Sequence, residues 1–370
     1  MQRKGKRAAV LMSGGVDSST AAALLKKQGF DVIGVTLQLW DYDSTNHRPQ
    51  GKRGCCDISH QMDAMHVCDV LGIHHVVLDH RKQFNLEVVE PYGQSYLSGE
   101  TPNPCVLCNS KIKWGSVLPK IDALECDYLA TGHYAKIVRG KYGIRLEKSI
   151  DLTKDQSYAL WQIPHQTLER TLLPLGNWEK KKIREVAHQH GFRNAGKPDS
   201  QEVCFIDDHY GEFLRDTRHD MVEAIGNGEI IDENDKVVGA HDGFFRFTVG
   251  QRKGLNIGDG KGPYYVVGLK PETNQVVVGD LNAVKRSGCV IREINWISFD
   301  APAKPEPCNV KIRYNDPGVP GTIFPEENGS LTIRFNQPRA AVTPGQSAVW
   351  YRGKAVWGGG IISMGIKSEV

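Results

Sequence analysis

Long apolar runs are missing from this chain. No stretch reaches the roughly 18 consecutive apolar residues that a membrane crossing needs, so no membrane partner is expected. The start is basic over residues 1–7, but the apolar run behind it, residues 8–12, is too short for a secretion signal, and cytoplasmic residence is expected. Strong net charge is missing too. A balance of +3 and a pI of about 8.3 permit a nucleic-acid partner without demanding one. Lys180-Lys181-Lys182 with Arg184, and Arg252-Lys253, read first as solvated faces. The nine cysteines are odd in number and have no secretion signal beside them, which argues against a disulfide scaffold and for thiols with chemistry in a reducing compartment. A second close cysteine pair of chelating spacing is also absent. Cys55-Cys56 are adjacent, so a structural zinc site is not expected. Internal repeats and low-complexity tracts are lacking.

What is present begins with Ser13-Gly14-Gly15-Val16-Asp17-Ser18-Ser19. The apolar run 8–12 leads in as a buried strand, and the Ala/Leu-rich stretch 20–28 leads out as a helix stopped by Gly29. Strand, glycine turn and helix place bare backbone N–H groups against a phosphate. Ser13, Ser18 and Ser19 add hydroxyls, and Asp17 is placed to meet a metal or to cap the helix. The Walker pattern is excluded, because no Gly-Lys-Ser/Thr follows. The whole string resembles the loop of the ATP-pyrophosphatases, which cleave ATP between the α and β phosphates.

At 370 residues, two or three domains are expected. Strands at 8–12, 31–39, 73–78 and 128–131 alternate with helices, which indicates a parallel sheet covered on both faces. Asp57 can cap a helix presenting Ile58, Met62, Met65 and Val70-Leu71 on its inner face. Residues 40–54 read as a polar loop. Thr101-Pro102-Asn103-Pro104-Cys105 is a rigid entry to a helix from about Cys108 to Ala123. A hairpin is expected over 134–147 and a helix over 178–190. After about Tyr210 the texture turns β-rich, with strands near 229–231, 264–269 and 275–278. Segments 290–296, 310–314, 331–335 and 347–351 are spaced like strands of a small barrel, and 301–307 reads as a loop between them. The fold class is therefore α/β: a Rossmann-like parallel-sheet domain over 1–209, a small β-rich central domain over 210–284 and a C-terminal β-barrel over 285–370.

Cys105-Val106-Leu107-Cys108 stands at a helix mouth, where the positive potential of the N-terminus favours thiolate. Cys204, after Pro198-Asp199-Ser200-Gln201-Glu202, reads as a thiol on an exposed loop. Cys68, Cys126, Cys289 and Cys308 read as core or inert positions.

The loop and these cysteines together resemble the tRNA-specific 2-thiouridylase (MnmA) family nearly end to end. The resemblance also includes Gly54-Cys55-Cys56-Asp57, Leu107-Cys108-Asn109, Thr131-Gly132-His133-Tyr134-Ala135, Lys154-Asp155-Gln156-Ser157-Tyr158, Gly250-Gln251-Arg252-Lys253-Gly254-Leu255, Arg313-Tyr314 and Pro344-Gly345-Gln346-Ser347-Ala348-Val349. Each fragment alone reads as an ordinary turn, helix start or strand pair; their order and spacing are specific. The resemblance implies sulfur replacing the 2-oxygen of the wobble uridine of tRNA. ATP with Mg²⁺ would adenylate that oxygen, and a cysteine persulfide would deliver the sulfur.

By the same resemblance, Cys204 would carry the persulfide and Cys108 would be the attacking thiol, with a Cys108–Cys204 disulfide as the end state of one turnover. Leu11, Met12, Ser13, Gly14, Gly15, Val16, Asp17, Ser18, Leu37 and Gly132 would hold ATP, with Mg²⁺ near Asp17. Asn103, Pro104 and Cys105 would meet the target base. His133, Lys154, Asp155, Gln156, Arg313, Tyr314 and Gln346 would contact tRNA. The sulfur donor would be a cysteine desulfurase or a sulfur-relay protein. Many family members carry aspartate where this chain has Cys105. Cys105, Cys108 and Cys204 could therefore hold a [4Fe–4S] cluster instead, as in related thiolases. A different adenylating synthase and a non-catalytic RNA-binding protein are the rival functions.

Overall fold

The computed structural model describes residues 5–40, 58–141, 143–199, 203–206, 210–258, 260, 262–326 and 329–367. Residues 41–54, the motif Gly54-Cys55-Cys56-Asp57 and Ser200-Gln201-Glu202 lie outside them. The first domain carries β1 (Arg7–Leu11), β2 (Asp31–Gln38), β3 (His74–Asp79), β4 (Tyr128–Ala130), β5 (Ala135–Gly140), β6 (Gly143–Lys148) and β7 (Thr171–Leu172). Five of these pair in the order β3-β2-β1-β4-β7, all parallel. Parallel strands need both faces covered, and β1 shows it: Ala8, Ala9 and Val10 are wholly buried. Ala8 and Val10 pack with Ala21, Leu25, Val67 and Ile183 on one face. Ala9 and Leu11 pack with Val88, Ile112 and Ile121 on the other.

The order of strands reverses between β1 and β4. In open α/β sheets ligands bind at the C-terminal strand ends beside such a reversal. Ser13-Gly14-Gly15 leaves β1 at that point, and Thr131-Gly132-His133 leaves β4 beside it.

The central domain opens with two helices, Tyr210–Thr217 and His219–Ile225, where the sequence reading has only β texture. Its sheet, β8 (Gly228–Ile231), β9 (Val237–His241), β10 (Tyr265–Lys270) and β11 (Gln275–Gly279), runs β10-β11-β8-β9. The last domain contains β12 (Lys285–Trp296), β13 (Glu306–Lys311), β14 (Val319–Pro325), β15 (Leu331–Ala340), β16 (Ser347–Arg352) and β17 (Ala355–Ile366). They pair as β12-β15-β14-β13-β16-β17, and β12 pairs with β17 to close a six-stranded barrel. The β5–β6 hairpin of the first domain joins this barrel through Ala355 opposite Glu147.

Two local expectations are corrected. The helix Ile58–Leu71 buries Ala64, Val67, Cys68 and Leu71, while Ile58, Met62, Met65 and Val70 face outward. Gly34 is the reason: a Cβ there would lie 2.4 Å from Cys68 Sγ, so the small residues of the helix nestle against a bare stretch of β2. The helix expected from Cys108 begins earlier, at Pro104, with the Asn103 side chain accepting the Cys105 N–H at its start. Over Cys108–Ser116 it widens to π-helical geometry.

Candidate active site

Gly14 sits at φ +71°, a conformation that suits glycine, and a Cβ there would lie 2.3 Å from the His60 carbonyl oxygen. Gly15 then begins the helix Val16–Lys27 with no side-chain cap. Of the two roles open to Asp17, the helix cap does not form. Ser18 Oγ instead accepts the Ser13 N–H at 3.2 Å and donates to the Gly15 carbonyl at 3.1 Å, so its hydroxyl shapes the turn. Ser19 Oγ also donates to Gly15, and the Asn194 amide donates both to Ser19 Oγ and to the Gly14 carbonyl. A turn braced from behind, with a helix N-terminus left uncapped, is suited to phosphate. Ser13 is exposed beside it. Leu11, Met12, Val16 and Leu37 are buried in the sheet packing, so they form the floor rather than offer polar groups. Gly132 closes the other side, where a Cβ would stand 2.7 Å from Ser18 N.

Asp17 faces a second set of residues that the sequence reading missed. Lys180 donates to both its oxygens, at 2.7 and 2.8 Å, and the Tyr134 hydroxyl donates at 2.7 Å. Burial and the Asp17 charge push the Tyr134 phenol well up, so it stays a donor. Lys180 also meets Asp199 at 2.8 Å, and Asp199 takes Lys154 and Arg184 at 2.9 Å each. Burial alone would raise the Asp199 pKa, but hydrogen bonds from Lys180 and Lys154 hold it below the ordinary value. Lys180 is therefore not part of a solvated face. It is 9% exposed, whereas Lys181 and Lys182 are exposed as expected. A run of three lysines carries no signal of which one turns inward.

Cys105 is exposed in the first turn of its helix, and Cys108, one turn on, is buried. Cys204 is half-buried rather than on an exposed loop. It packs against the same core as Cys108, and its neighbour Phe205 inserts among Phe84, Tyr92 and Phe213. Burial raises the Tyr92 phenol, and its ring meets Phe205, the neighbour of Cys204, at 5.4 Å. Among the described residues no three His, Cys, Asp or Glu side chains gather so as to hold a metal ion. Cys68, Cys126 and Cys289 are buried, and burial pushes Cys68 up to about 12.

Three domains meet at the Thr101-Pro102-Asn103-Pro104 entry. Glu100 takes a two-pronged ion pair from Arg292, with both contacts at 2.8 Å. Thr101 N–H donates to Pro344 at 2.9 Å, its hydroxyl donates to Thr248 at 3.3 Å, and Gln346 donates to the Thr101 carbonyl at 2.8 Å. Gln346 thus buttresses the entry. Arg313 and Tyr314 are exposed after β13. Burial raises the Tyr314 phenol, with the Asp155 charge adding to it, and its ring meets Tyr158 of the first domain at 6.2 Å.

Three of the expected RNA contacts have structural duties. Asp155 is buried and accepts from Ser149 N and Ser157 Oγ. Gln156 exchanges two hydrogen bonds with the Tyr134 backbone. Lys154 holds Asp199. His133 bonds Thr131 at 2.8 Å and packs on Trp114; burial, helped by Lys113, pushes its pKa well below 6.5, so the ring is neutral.

The sequence matches three family descriptions in order: a tRNA methyl transferase HUP domain over residues 6–208, a tRNA methyl transferase PRC-barrel domain over 213–280 and an aminomethyltransferase beta-barrel domain over 286–362. The HUP match carries with it the use of ATP. Curated relatives named tRNA-specific 2-thiouridylase MnmA match nearly end to end. That of Heliobacterium modesticaldum is 46% identical over 95% of this chain and 91% of its own. That of Salinibacter ruber is 43% identical over 98% and 95%. That of Carboxydothermus hydrogenoformans is 42% identical over 96% and 97%. Among solved structures, an NMN synthetase from Francisella tularensis superposes loosely, with a TM-score of 0.34 at 14% identity over 53% of this chain and 67% of that one. Identity above 40% across all three domains is decisive: the chain belongs to the tRNA-specific 2-thiouridylase (MnmA) family.

Proposed function

We propose that this chain is the enzyme that replaces the 2-oxygen of the wobble uridine of tRNA with sulfur at the expense of ATP. The observation that carries the reading is the uncapped helix start behind Ser13-Gly14-Gly15, set at the sheet's reversal point in the same domain as Cys105 and Cys108. An amide-like oxygen leaves poorly. In the first step uridine O2 attacks the α-phosphorus of ATP, the α–β bond breaks and pyrophosphate departs. Ser13, the first-turn N–H groups and Gly132 would receive the phosphates. Mg²⁺ needs few protein ligands when phosphate and water supply the rest, and Asp17 is the carboxylate that fits it.

In the second step the terminal sulfur of a Cys204 persulfide attacks C2, and AMP leaves. Cys108 thiolate then attacks the inner sulfur. A Cys108–Cys204 disulfide forms, the electron pair stays with the transferred sulfur, and 2-thiouridine is released. A thiol reductant resets the enzyme, which suits a cytoplasmic setting. No helix among the described residues is long and apolar enough to cross a membrane. A desulfurase or relay protein would recharge Cys204. The target base must leave its stack to enter, with Asn103, Pro104 and Cys105 at the mouth and Arg313, Tyr314 and Lys154 along the approach. Simple methyl transfer, the wording of two family descriptions, would need no pyrophosphate-forming loop.

Incubation with unmodified tRNA, ATP, Mg²⁺ and a persulfide donor tests the reading. Thiolated tRNA, retarded in a mercury-containing gel, should form together with equal AMP and pyrophosphate. ATP turnover with an amine acceptor and no thiolated RNA would point to a different synthase.

A further inference from the structure

We propose that Lys180 is an exchange residue of the nucleotide site: its ammonium leaves Asp17 for the β- and γ-phosphates of ATP and accompanies pyrophosphate until release. The inference rests on the ATP reading above. Asp17 is the second residue of the helix Val16–Lys27, so a group bonded to its carboxylate stands beside the uncapped helix start. A lysine tucked there is within one side-chain rearrangement of any anion bound to that start. The first turn of the helix Lys180–Gln189 fixes its backbone, and its own N–H is held by Asp151 at 3.1 Å. The long stem can therefore swing without moving the fold.

The surrounding charges make the exchange feasible. Three cations, Lys154, Lys180 and Arg184, serve two carboxylates, Asp17 and Asp199. Asp151, which accepts the Lys180 N–H, balances the third cation, so an incoming anion competes with these acids for the ammonium. Asp199 keeps Lys154 and Arg184 if Lys180 departs, so no buried acid is stranded there. Asp17 keeps the Tyr134 hydroxyl and gains room for the cation that travels with the nucleotide. In the nucleotide-free enzyme, Asp17 thus competes with phosphate for the Lys180 ammonium. Burying such a charge beside two acids and exchanging it for a polyphosphate keeps it compensated throughout.

Calorimetric titration with inorganic pyrophosphate in EDTA, and separately with AMP, tests this. Lys180→Ala should weaken pyrophosphate by about tenfold to a hundredfold, the worth of a charge-assisted hydrogen bond, and leave AMP unchanged. Lys180→Arg should restore most of the affinity. Asp17→Asn, nearly isosteric and expected to fold even if the alanine variant does not, removes the competitor and should tighten metal-free pyrophosphate severalfold. Unchanged pyrophosphate affinity in Lys180→Ala, an equal loss of AMP, or weaker pyrophosphate in Asp17→Asn would overturn the exchange. Wild-type protein that binds neither pyrophosphate nor ATP would instead overturn the nucleotide reading beneath it.

Discussion

Gly132→Ala separates the nucleotide loop's geometry from general stability. A Cβ at this position would stand 2.7 Å from Ser18 N and 2.8 Å from the Asp17 carbonyl carbon, where ordinary contact begins at 3.4 Å. Both neighbours are backbone, so no side chain can rotate away. The start of the helix must recede by about 0.7 Å or the end of β4 must. Gly132 has no positive φ, so the methyl adds crowding and no backbone strain. Overpacking of this kind costs about 1–3 kcal/mol. The shift falls on the N–H groups proposed to hold phosphate, and losing one good hydrogen bond raises the KM for ATP about tenfold.

Gly191→Ala is the matched control. It has φ +70° and nothing within 4 Å, so it carries strain without crowding. It should cost about 1–2 kcal/mol and leave ATP kinetics intact. Urea unfolding and ATP–pyrophosphate exchange on both variants decide the matter. If Gly132→Ala keeps the wild-type KM while losing stability, the loop does not bind the nucleotide as argued.

Other outcomes follow from the same structure. Arg313→Ala should weaken tRNA binding and lower the slope of log affinity against log salt by about one, measured by filter binding across a salt series. His133, His75 and His241 all have pKa values lowered by burial. The unfolded chain therefore takes up protons that the folded one refuses. Stability is full above about pH 6.5 and falls as the pH drops through the folded values. Urea midpoints between pH 7.5 and 5 should show this, and His133→Gln should flatten part of it. Anaerobically purified protein should be active while free of iron, since the persulfide route needs no metal beyond the Mg²⁺ that accompanies ATP; activity strictly dependent on iron would contradict that route.

Much of this was legible in the sequence because glycine and proline punctuate it. The Ser13-Gly14-Gly15 turn, the alternating parallel units and four of the six barrel strands follow from local pattern alone. What escaped depends on partners far away in the chain. β17 is invisible to strand rules because of Gly358-Gly359-Gly360. The fold explains them: a Cβ on Gly359 would meet the Trp161 ring at 2.5 Å, and one on Gly360 would meet Ile291 at 2.3 Å. The inner face of the helix Ile58–Leu71 was hidden because small residues, not large ones, face Gly34. Lys180 was unreadable because its two acids stand 163 positions before it and 19 after it.

The most direct test of the central claim is mass spectrometry of nucleosides from tRNA incubated with ATP, Mg²⁺ and a persulfide donor. Wild-type protein should yield 2-thiouridine at the wobble position. The Cys204→Ser and Cys108→Ser proteins should yield none, although both should still exchange pyrophosphate into ATP. Thiolation that persists in the Cys204→Ser protein would contradict the sulfur route described above.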